Sequence, residues 1–272
     1  MNYISFDFET NDTNQAEQLV ALLNEQGFEG FEETDQHLKA FVKEDLFDES
    51  SFKTIETLFP SLIFKRTIIV NINWNKQWEE SFEPVIIKDF VAIRAAFHQP
   101  ILSVQHEIII TPKMSFGTGH HATTHLVIEQ MQQLNFSGKS VLDFGTGTGV
   151  LAILAEKLGA SKVFAVDYDE WSINNAQENI FQNNCTKIII EQHNLIPEVQ
   201  KFDIILANIN LNVIIANLPA IASVANAGCD IICSGFFKES EAVLLADMRA
   251  VGIEYRSTLQ KADWIAIAGI KL

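Results

Sequence analysis

The clearest fold signal in this 272-residue chain is the segment Ser140-Val-Leu-Asp-Phe-Gly-Thr-Gly-Thr-Gly-Val150. Its first half is apolar and β-compatible, and it leads directly into three glycines at alternate positions. Behind the glycines, residues 151–158 carry apolar side chains at helical spacing and stop before Gly159. The pattern predicts a strand, a glycine turn and a helix. Such glycines let the backbone approach a ligand and leave the amides of the helix N-terminus accessible.

A second predicted strand, Lys162–Val166, ends in Asp167, about 20 residues after Gly145, where Rossmann-type folds place the acid that binds ribose hydroxyls. The dinucleotide fingerprint would require a glycine where this chain has Val150. The glycines at 145, 147 and 149, preceded by Asp143, instead resemble the first motif of S-adenosylmethionine-dependent methyltransferases. A glycine turn that binds no ligand is the alternative, and the two acids that flank the motif disfavour it.

From Ser140 onward the chain alternates predicted strands and helices, which is typical of a doubly wound α/β sheet of Rossmann-like type. Seven strands are predicted, near Val141, Val163, Ile188, Ile204, Ile231, Ile253 and Trp264. Only residues 260–263 separate the last two strands, which is too short for a parallel crossover. The final strand is therefore predicted to run antiparallel, as in methyltransferase sheets and unlike a pure dinucleotide-binding domain.

The N-terminal part, residues 1–70, alternates in the order βαββαβ, which predicts a small ferredoxin-like α+β domain. Residues 71–84, with Trp74 and Trp78, form a predicted linker before a catalytic domain at 85–272. Residues 1–70 hold 14 acidic and 5 basic residues. This acidity can simply favour solubility, or it can attract a basic partner to the small domain.

Composition limits the partners and the location of the protein. The formal net charge is −16, and phosphate contacts need a basic surface, so we expect no direct nucleic-acid binding. No apolar run approaches the roughly 20 residues that span a bilayer, and the N-terminus lacks the pattern of a signal peptide. We expect no membrane association and a soluble, cytoplasmic protein. Cys185, Cys229 and Cys233 form no CxxC pair and are predicted to be small buried hydrophobic side chains.

A second glycine-rich segment, residues 114–125, precedes a helix predicted at Leu126–Leu134. His121 and His125 stand at the i, i+4 spacing of zinc-binding helices, but the glutamate of the zinc-protease motif is missing between them. We therefore predict no metal site. We interpret the segment as a lid whose hydroxyls, such as that of Thr118, and amides contact a polar ligand. Asn208 ends the strand at 202–208 and would face the same crevice, unless it only caps the next helix.

Taken together, these motifs resemble the PrmA family, the class I methyltransferases that modify ribosomal protein L11 of the large subunit. The small domain, the tryptophan-containing linker, Ser-Phe-Gly-Thr-Gly-His-His-Ala-Thr-Thr, Asp-Phe-Gly-Thr-Gly-Thr-Gly, Val-Asp-Tyr-Asp and Ala-Asn-Ile-Asn follow the order of that family. The resemblance covers essentially the whole chain. Two departures are His120-His121-Ala122, where the family often has Thr-His-Pro, and Asn210, where it usually has leucine.

The resemblance implies S-adenosylmethionine as the cofactor, with contacts from Thr124, Gly145, Asp167 on the ribose and Asn208 near the methyl group. Gly147 and Thr118 are expected to contribute as well. It implies methylation of lysine side chains, of the N-terminal amine or of both, in a basic ribosomal protein, by an enzyme expected to be a monomer. No residue is assigned as a catalytic acid or base.

Three alternatives stay open on sequence grounds. The chain could methylate another protein or a small amine, it could be a nicotinamide-dependent oxidoreductase, or it could bind the cofactor without turnover. Val150 and the antiparallel last strand disfavour the oxidoreductase.

Overall fold

The computed structural model describes residues 2–10, 13–34, 36–69, 82–113, 117–196 and 200–272. The chain divides into two units, Met1–Ser81 and Phe82–Leu272. Trp74 and Trp78 of the predicted linker lie outside the described residues. Among the helices that the structure describes, none has both the length and the apolar character to cross a bilayer.

The first unit has the predicted order βαββαβ. Its elements are β1 (Tyr3–Glu9), α1 (Thr13–Glu25), β2 (Gly30–Glu33), β3 (His37–Lys43), α2 (Glu49–Leu58) and β4 (Phe64–Ile69). The strands form an antiparallel sheet in the order β2-β3-β1-β4. Alternate residues of β1 are buried, and the rings of Phe6 and Phe52 lie 4.5 Å apart in a phenylalanine-rich core. The helix α2 begins at an aspartate cap, because Asp48 accepts the backbone N–H groups of Ser50 and Ser51.

The second unit begins with a three-stranded sheet in the order β5-β6-β7, in which β6 and β7 are parallel. It continues with the helices and strands of a larger sheet. The bounds are β5 (Val85–Ile87), β6 (Val91–Ala95), β7 (His106–Ile110), α3 (Ala122–Met131), β8 (Ser140–Phe144), α4 (Val150–Lys157), β9 (Lys162–Asp167), α5 (Glu170–Gln182), β10 (Ile188–Gln192), β11 (Phe202–Asn208), α6 (Leu211–Val224), β12 (Ala225–Phe237), a 3-10 turn (Lys238–Ser240), α7 (Glu241–Ala250), β13 (Ile253–Lys261) and β14 (Trp264–Lys271).

The larger sheet contains the seven predicted strands in the order β10-β9-β8-β11-β12-β14-β13. The strand β14 is antiparallel to both β12 and β13, whereas the other neighbouring pairs are parallel. The prediction of a reversed last strand is therefore confirmed. The strand order changes direction between β8 and β11, which is where open α/β sheets bind ligands beyond the strand carboxyl ends.

The inner strands β8, β9 and β11 are buried on both faces of this sheet, which explains their near-continuous apolar runs. Successive side chains of β8 enter opposite core layers, with Val141 in the layer of α3 and α4 and Leu142 in the layer of α6 and α7. All three cysteines are unpaired; Cys229 and Cys233 are buried and Cys185 is half-buried. Burial raises the pKa of the Cys233 thiol to about 12, so this side chain serves as a small apolar group, as predicted.

Candidate active site

The glycine turn follows β8 and leads into α4. Gly145 adopts a left-handed backbone with φ +77°, and its N–H donates to Val166 O at 2.9 Å on the neighbouring strand. A Cβ at position 145 would lie 2.1 Å from Cγ2 of Ile209. Glycine is therefore required at position 145 for two reasons. The backbone is left-handed there, and the side chain of Ile209 lies too close to leave room for a Cβ. Gly149 is the left-handed N-cap of α4.

Two acids flank the turn in different environments. Asp167 ends β9; its Oδ2 accepts Gly147 N–H at 2.9 Å and its Oδ1 accepts Asp169 N–H at 3.1 Å. Asp143 is fully buried in β8, where its Oδ2 accepts the hydroxyl of Thr146 at 2.6 Å. Burial raises the pKa of Asp143 to about 7, although the Thr146 hydrogen bond opposes the shift. Asp167 can therefore present lone pairs to a ligand, whereas Asp143 supports the turn from within.

Asn208 ends β11 and is 7% exposed. Its Nδ2 donates to the Thr124 hydroxyl at 3.3 Å, and its Oδ1 is buried without a hydrogen-bond partner in the described structure. The alternative that Asn208 caps the next helix is wrong. Asn210 is the N-cap of α6, because its side chain accepts the N–H of Val213 at 3.1 Å.

The prediction that places Thr124 in a loop, before a helix that begins at Leu126, is also wrong. The helix α3 begins at Ala122, because the side chain of His121 caps it by accepting the N–H of Thr123. Thr124 therefore projects from the first turn of a helix and is fully buried. Thr118 lies earlier, where its hydroxyl is 3.1 Å from Nδ1 of His120.

These elements surround one cavity of about 460 Å³ at the carboxyl ends of the strands. Four predicted residues line it, namely Gly145, Gly147, Asp167 and Asn208. Thr124 contacts the site through Asn208, and Thr118 is not among the lining residues. The full lining is His121, Gly145, Gly147, Asp167, Tyr168, Asp169, Ser172, Asn208, Ile209, Asn210, Gly235 and Trp264. Among the residues that the structure describes, this lining includes two carboxylates and neither lysine nor arginine, so this part of the cavity suits a cationic ligand.

One side of this cavity is an aromatic wall that was not predicted from the sequence. The Trp264 ring lies 4.5 Å from the His121 ring and 4.1 Å from the Phe237 ring. Phe237 ends β12 and pairs with Trp264 at the start of β14. Trp264 follows the turn between β13 and β14, so the sequence shows that it lies at the start of a strand. Its position beside α3 depends on the order of the strands in the sheet, which the sequence does not show.

The histidines of this region have local partners. His121 Nδ1 lies 2.7 Å from the Thr123 hydroxyl, and His125 Nε2 lies 3.5 Å from Glu129. Burial lowers the pKa of both histidines. Searching the described ranges finds no group of three or more histidine, cysteine or acidic side chains arranged to hold a metal ion.

The sheet order, the reversed strand β14 and the acidic cavity at the strand carboxyl ends define an S-adenosylmethionine-dependent methyltransferase of class I. The family model of ribosomal protein L11 methyltransferase (PrmA) matches residues 4–271. The chain therefore belongs to this family, and the predicted family and enzyme class are confirmed.

Individual relatives support the same assignment along the whole chain. The ribosomal protein L11 methyltransferase of Phocaeicola vulgatus is 37% identical over 276 residues, which cover 98% of this chain and 98% of the relative. That of Chlorobaculum parvum is 35% identical over 277 residues, covering 97% of this chain and 95% of the relative. The crystal structure of a ribosomal protein L11 methylase from Lactobacillus delbrueckii subsp. bulgaricus superposes with a TM-score of 0.65 at 28% identity. It covers 70% of this chain and 100% of that chain.

Proposed function

We propose that this enzyme transfers methyl groups from S-adenosylmethionine to amino groups of ribosomal protein L11, on lysine side chains, at the N-terminal amine or at both. Relatives that match nearly its full length carry that name. The observation that supports the proposal most directly is the unpaired, buried Oδ1 of Asn208 at the cavity. A buried acceptor without a donor is costly, and an amine N–H is the kind of group that would pair with it.

The cofactor half of the cavity fits S-adenosylmethionine. Each oxygen of Asp167 already accepts one backbone N–H, and a carboxylate has further lone pairs for ribose hydroxyls. The backbone of Gly145 and Gly147 borders the same space. We propose that Thr124 contributes through Asn208. The assignment of Thr118 rests on the family resemblance.

When bound, the cofactor supplies a sulfonium methyl group that is already electrophilic. The protein then has to orient an amine and exclude water. The Oδ1 of Asn208, whose Nδ2 donates to Thr124, would accept a hydrogen bond from the amine. A lysine ammonium, whose pKa is near 10.4 in water, must lose a proton before it reacts, and we assign no side chain to that step.

We further propose that residues 1–70 recognise the protein substrate and residues 85–272 carry catalysis. The first unit is a compact unit of its own, and it has an excess of acidic residues. Exposed acids such as Glu32 and Glu33 lie on its strand β2. A basic ribosomal protein would be attracted to such a surface. Because ribosomal proteins are made in the cytoplasm, we propose that the enzyme acts there.

A labelled-methyl assay tests the function. Incubation with labelled S-adenosylmethionine and a mixture of large-subunit ribosomal proteins should label L11 in preference to the others. Label on a different protein would support the alternative of another methylation target, and tight binding of NADH would support an oxidoreductase.

Deletion of residues 1–70 tests the proposed role of the small unit. The truncated enzyme should bind S-adenosylmethionine normally but fail to methylate L11, provided that circular dichroism shows it to be folded. The full-length double variant Glu32→Lys, Glu33→Lys is a second test that avoids exposing core. It should raise the KM for L11 and leave cofactor affinity unchanged. Full activity of the folded truncation would refute the recognition role.

A further inference from the structure

The strand β7 is the edge of the three-stranded sheet, yet its open side is satisfied by asparagine side chains of α5 and its C-terminal end. Asn183 pairs with both polar groups of Ile109, accepting its N–H at 3.0 Å and donating to its carbonyl at 2.6 Å. Asn179 accepts the N–H of Thr111 at 2.7 Å, and Asn175 donates to the carbonyl of Thr111 at 3.1 Å. The i, i+4, i+8 spacing places these amides on one helix face. They replace a neighbouring strand along this edge.

One member of this ladder also reaches the glycine turn. Asn179 is fully buried, and its Nδ2 donates to the carbonyl of Thr148 at 2.8 Å. The hydroxyl of Thr148 in turn donates to the carbonyl of Gly117 at 2.7 Å. A Cβ on Gly117, whose φ is +104°, would lie 2.8 Å from that hydroxyl. We call the hydrogen-bond chain from Thr111 through Asn179 and Thr148 to Gly117 the clasp.

The clasp connects the turn to chain segments that precede α3. Thr148 stands between Gly147, whose N–H binds Asp167, and Gly149, which caps α4. Neither Asn179 nor Thr148 lines the cavity. A displacement of Thr148 would nevertheless move the Gly147 amide relative to the Asp167 carboxylate. Hydrogen bonds in a buried chain reinforce one another, so loss of one link should loosen the turn.

We propose that Asn179 and Thr148 are positioning residues that hold the glycine turn in its cofactor-binding geometry and thereby set the affinity for S-adenosylmethionine. This inference rests on the proposed function, because it assumes that the cavity binds this cofactor. It concerns residues that do not touch the cofactor cavity and that act through backbone groups of the turn.

The test compares three full-length variants by calorimetric titration with S-adenosylmethionine and by thermal denaturation. Thr148→Val removes the hydroxyl and keeps the side-chain shape, and Thr148→Ser restores a hydroxyl. Asn183→Ala is the matched control, because it removes the pairing with Ile109 and a bond to the backbone carbonyl of Asn179 but no bond to the turn. Since Gly117 is half-buried, water can replace the lost donor, so Thr148→Val should change the melting temperature little.

We expect Thr148→Val to raise the Kd for the cofactor about five-fold, which corresponds to one hydrogen bond, and Thr148→Ser to return it to the wild-type value. Asn183→Ala should lower the melting temperature more than Thr148→Val does and leave the Kd within about two-fold. An unchanged Kd in Thr148→Val would overturn the inference. An equal rise in Asn183→Ala would also overturn it, since the effect would then be general loosening. Failure of the wild type to bind the cofactor would instead refute the proposed function.

Discussion

Replacing Asp167 by alanine removes the carboxylate at the end of β9 and should weaken cofactor binding strongly. In the structure its two oxygens accept the N–H groups of Gly147 and Asp169 at 2.9 and 3.1 Å, which orients both oxygens at the cavity. Loss of two charge-assisted hydrogen bonds to ribose hydroxyls would cost roughly 2–4 kcal/mol. The dissociation constant should therefore rise roughly 30- to 1000-fold.

The same change leaves two backbone N–H groups without their acceptor, so some loss of folding stability is expected as well. Asp203→Ala separates the two effects. Asp203 lies at the opposite end of the sheet, where it accepts the N–H of Ser140 at 2.9 Å, and its loss should reduce stability without affecting the cavity. Calorimetry at a temperature well below both melting transitions gives the affinities. A Kd for Asp167→Ala within about three-fold of wild type, or an equal loss in Asp203→Ala, would show that the Asp167 carboxylate does not bind the cofactor.

Three further predictions concern Thr124, Asp143 and the acidic unit at residues 1–70. Thr124→Val removes the acceptor of the Asn208 amide and should weaken cofactor affinity about five-fold, as measured by titration, and it should lower the melting temperature because the buried Nδ2 of Asn208 loses its acceptor. Because burial raises the pKa of Asp143 to about 7, the folded state binds the extra proton, and this group's stabilising contribution is lost as pH rises from about 4 to about 7. The unfolding free energy of wild type minus that of Asp143→Asn should therefore fall across this window in urea titrations; a constant difference would contradict it. Finally, salt should slow the association of L11 with the acidic unit at residues 1–70, and a salt-independent rate in stopped-flow experiments would argue against electrostatic steering.

Much of the fold could be predicted because its determinants are local. The run that contains Val141 and the glycines after it carries both the strand and the turn, and the short connection at 260–263 forces the last strand to reverse. The place of β14 between β12 and β13 could not be predicted, because pairing order within a sheet depends on the packing of whole strands. The N-terminal order βαββαβ was readable because each element has its own periodicity.

The candidate site also has residues that could be predicted from the sequence and features that could not. Gly145, Gly147, Asp167 and Asn208 follow directly from their places at strand ends, and the structure brings them to one cavity. The start of α3 was misplaced because histidine is an uncommon helix cap, and the cap depends on the local orientation of His121.

The hydrogen bonds of the clasp could not be predicted from the sequence. It joins residues far apart along the chain, such as Thr111 and Asn179, through the backbone groups of one and the side chain of the other. When a side chain bonds to a backbone group, any residue type can stand at the partner position. The sequence of the partner therefore gives no sign of the hydrogen bond. Only the packing of α5 against β7 identifies such pairs.

Methylation of ribosomal protein L11 by this chain with S-adenosylmethionine can be measured directly. The most direct test is the intact mass of purified L11 from the same organism after incubation with the cofactor and either the wild-type enzyme or Asp167→Ala. We expect the wild-type enzyme to add one or more methyl groups to L11, located on amino groups by peptide fragmentation, and the variant to add far fewer at the same cofactor concentration. An unchanged L11 mass with folded, cofactor-binding wild-type enzyme would show that L11 is not its substrate.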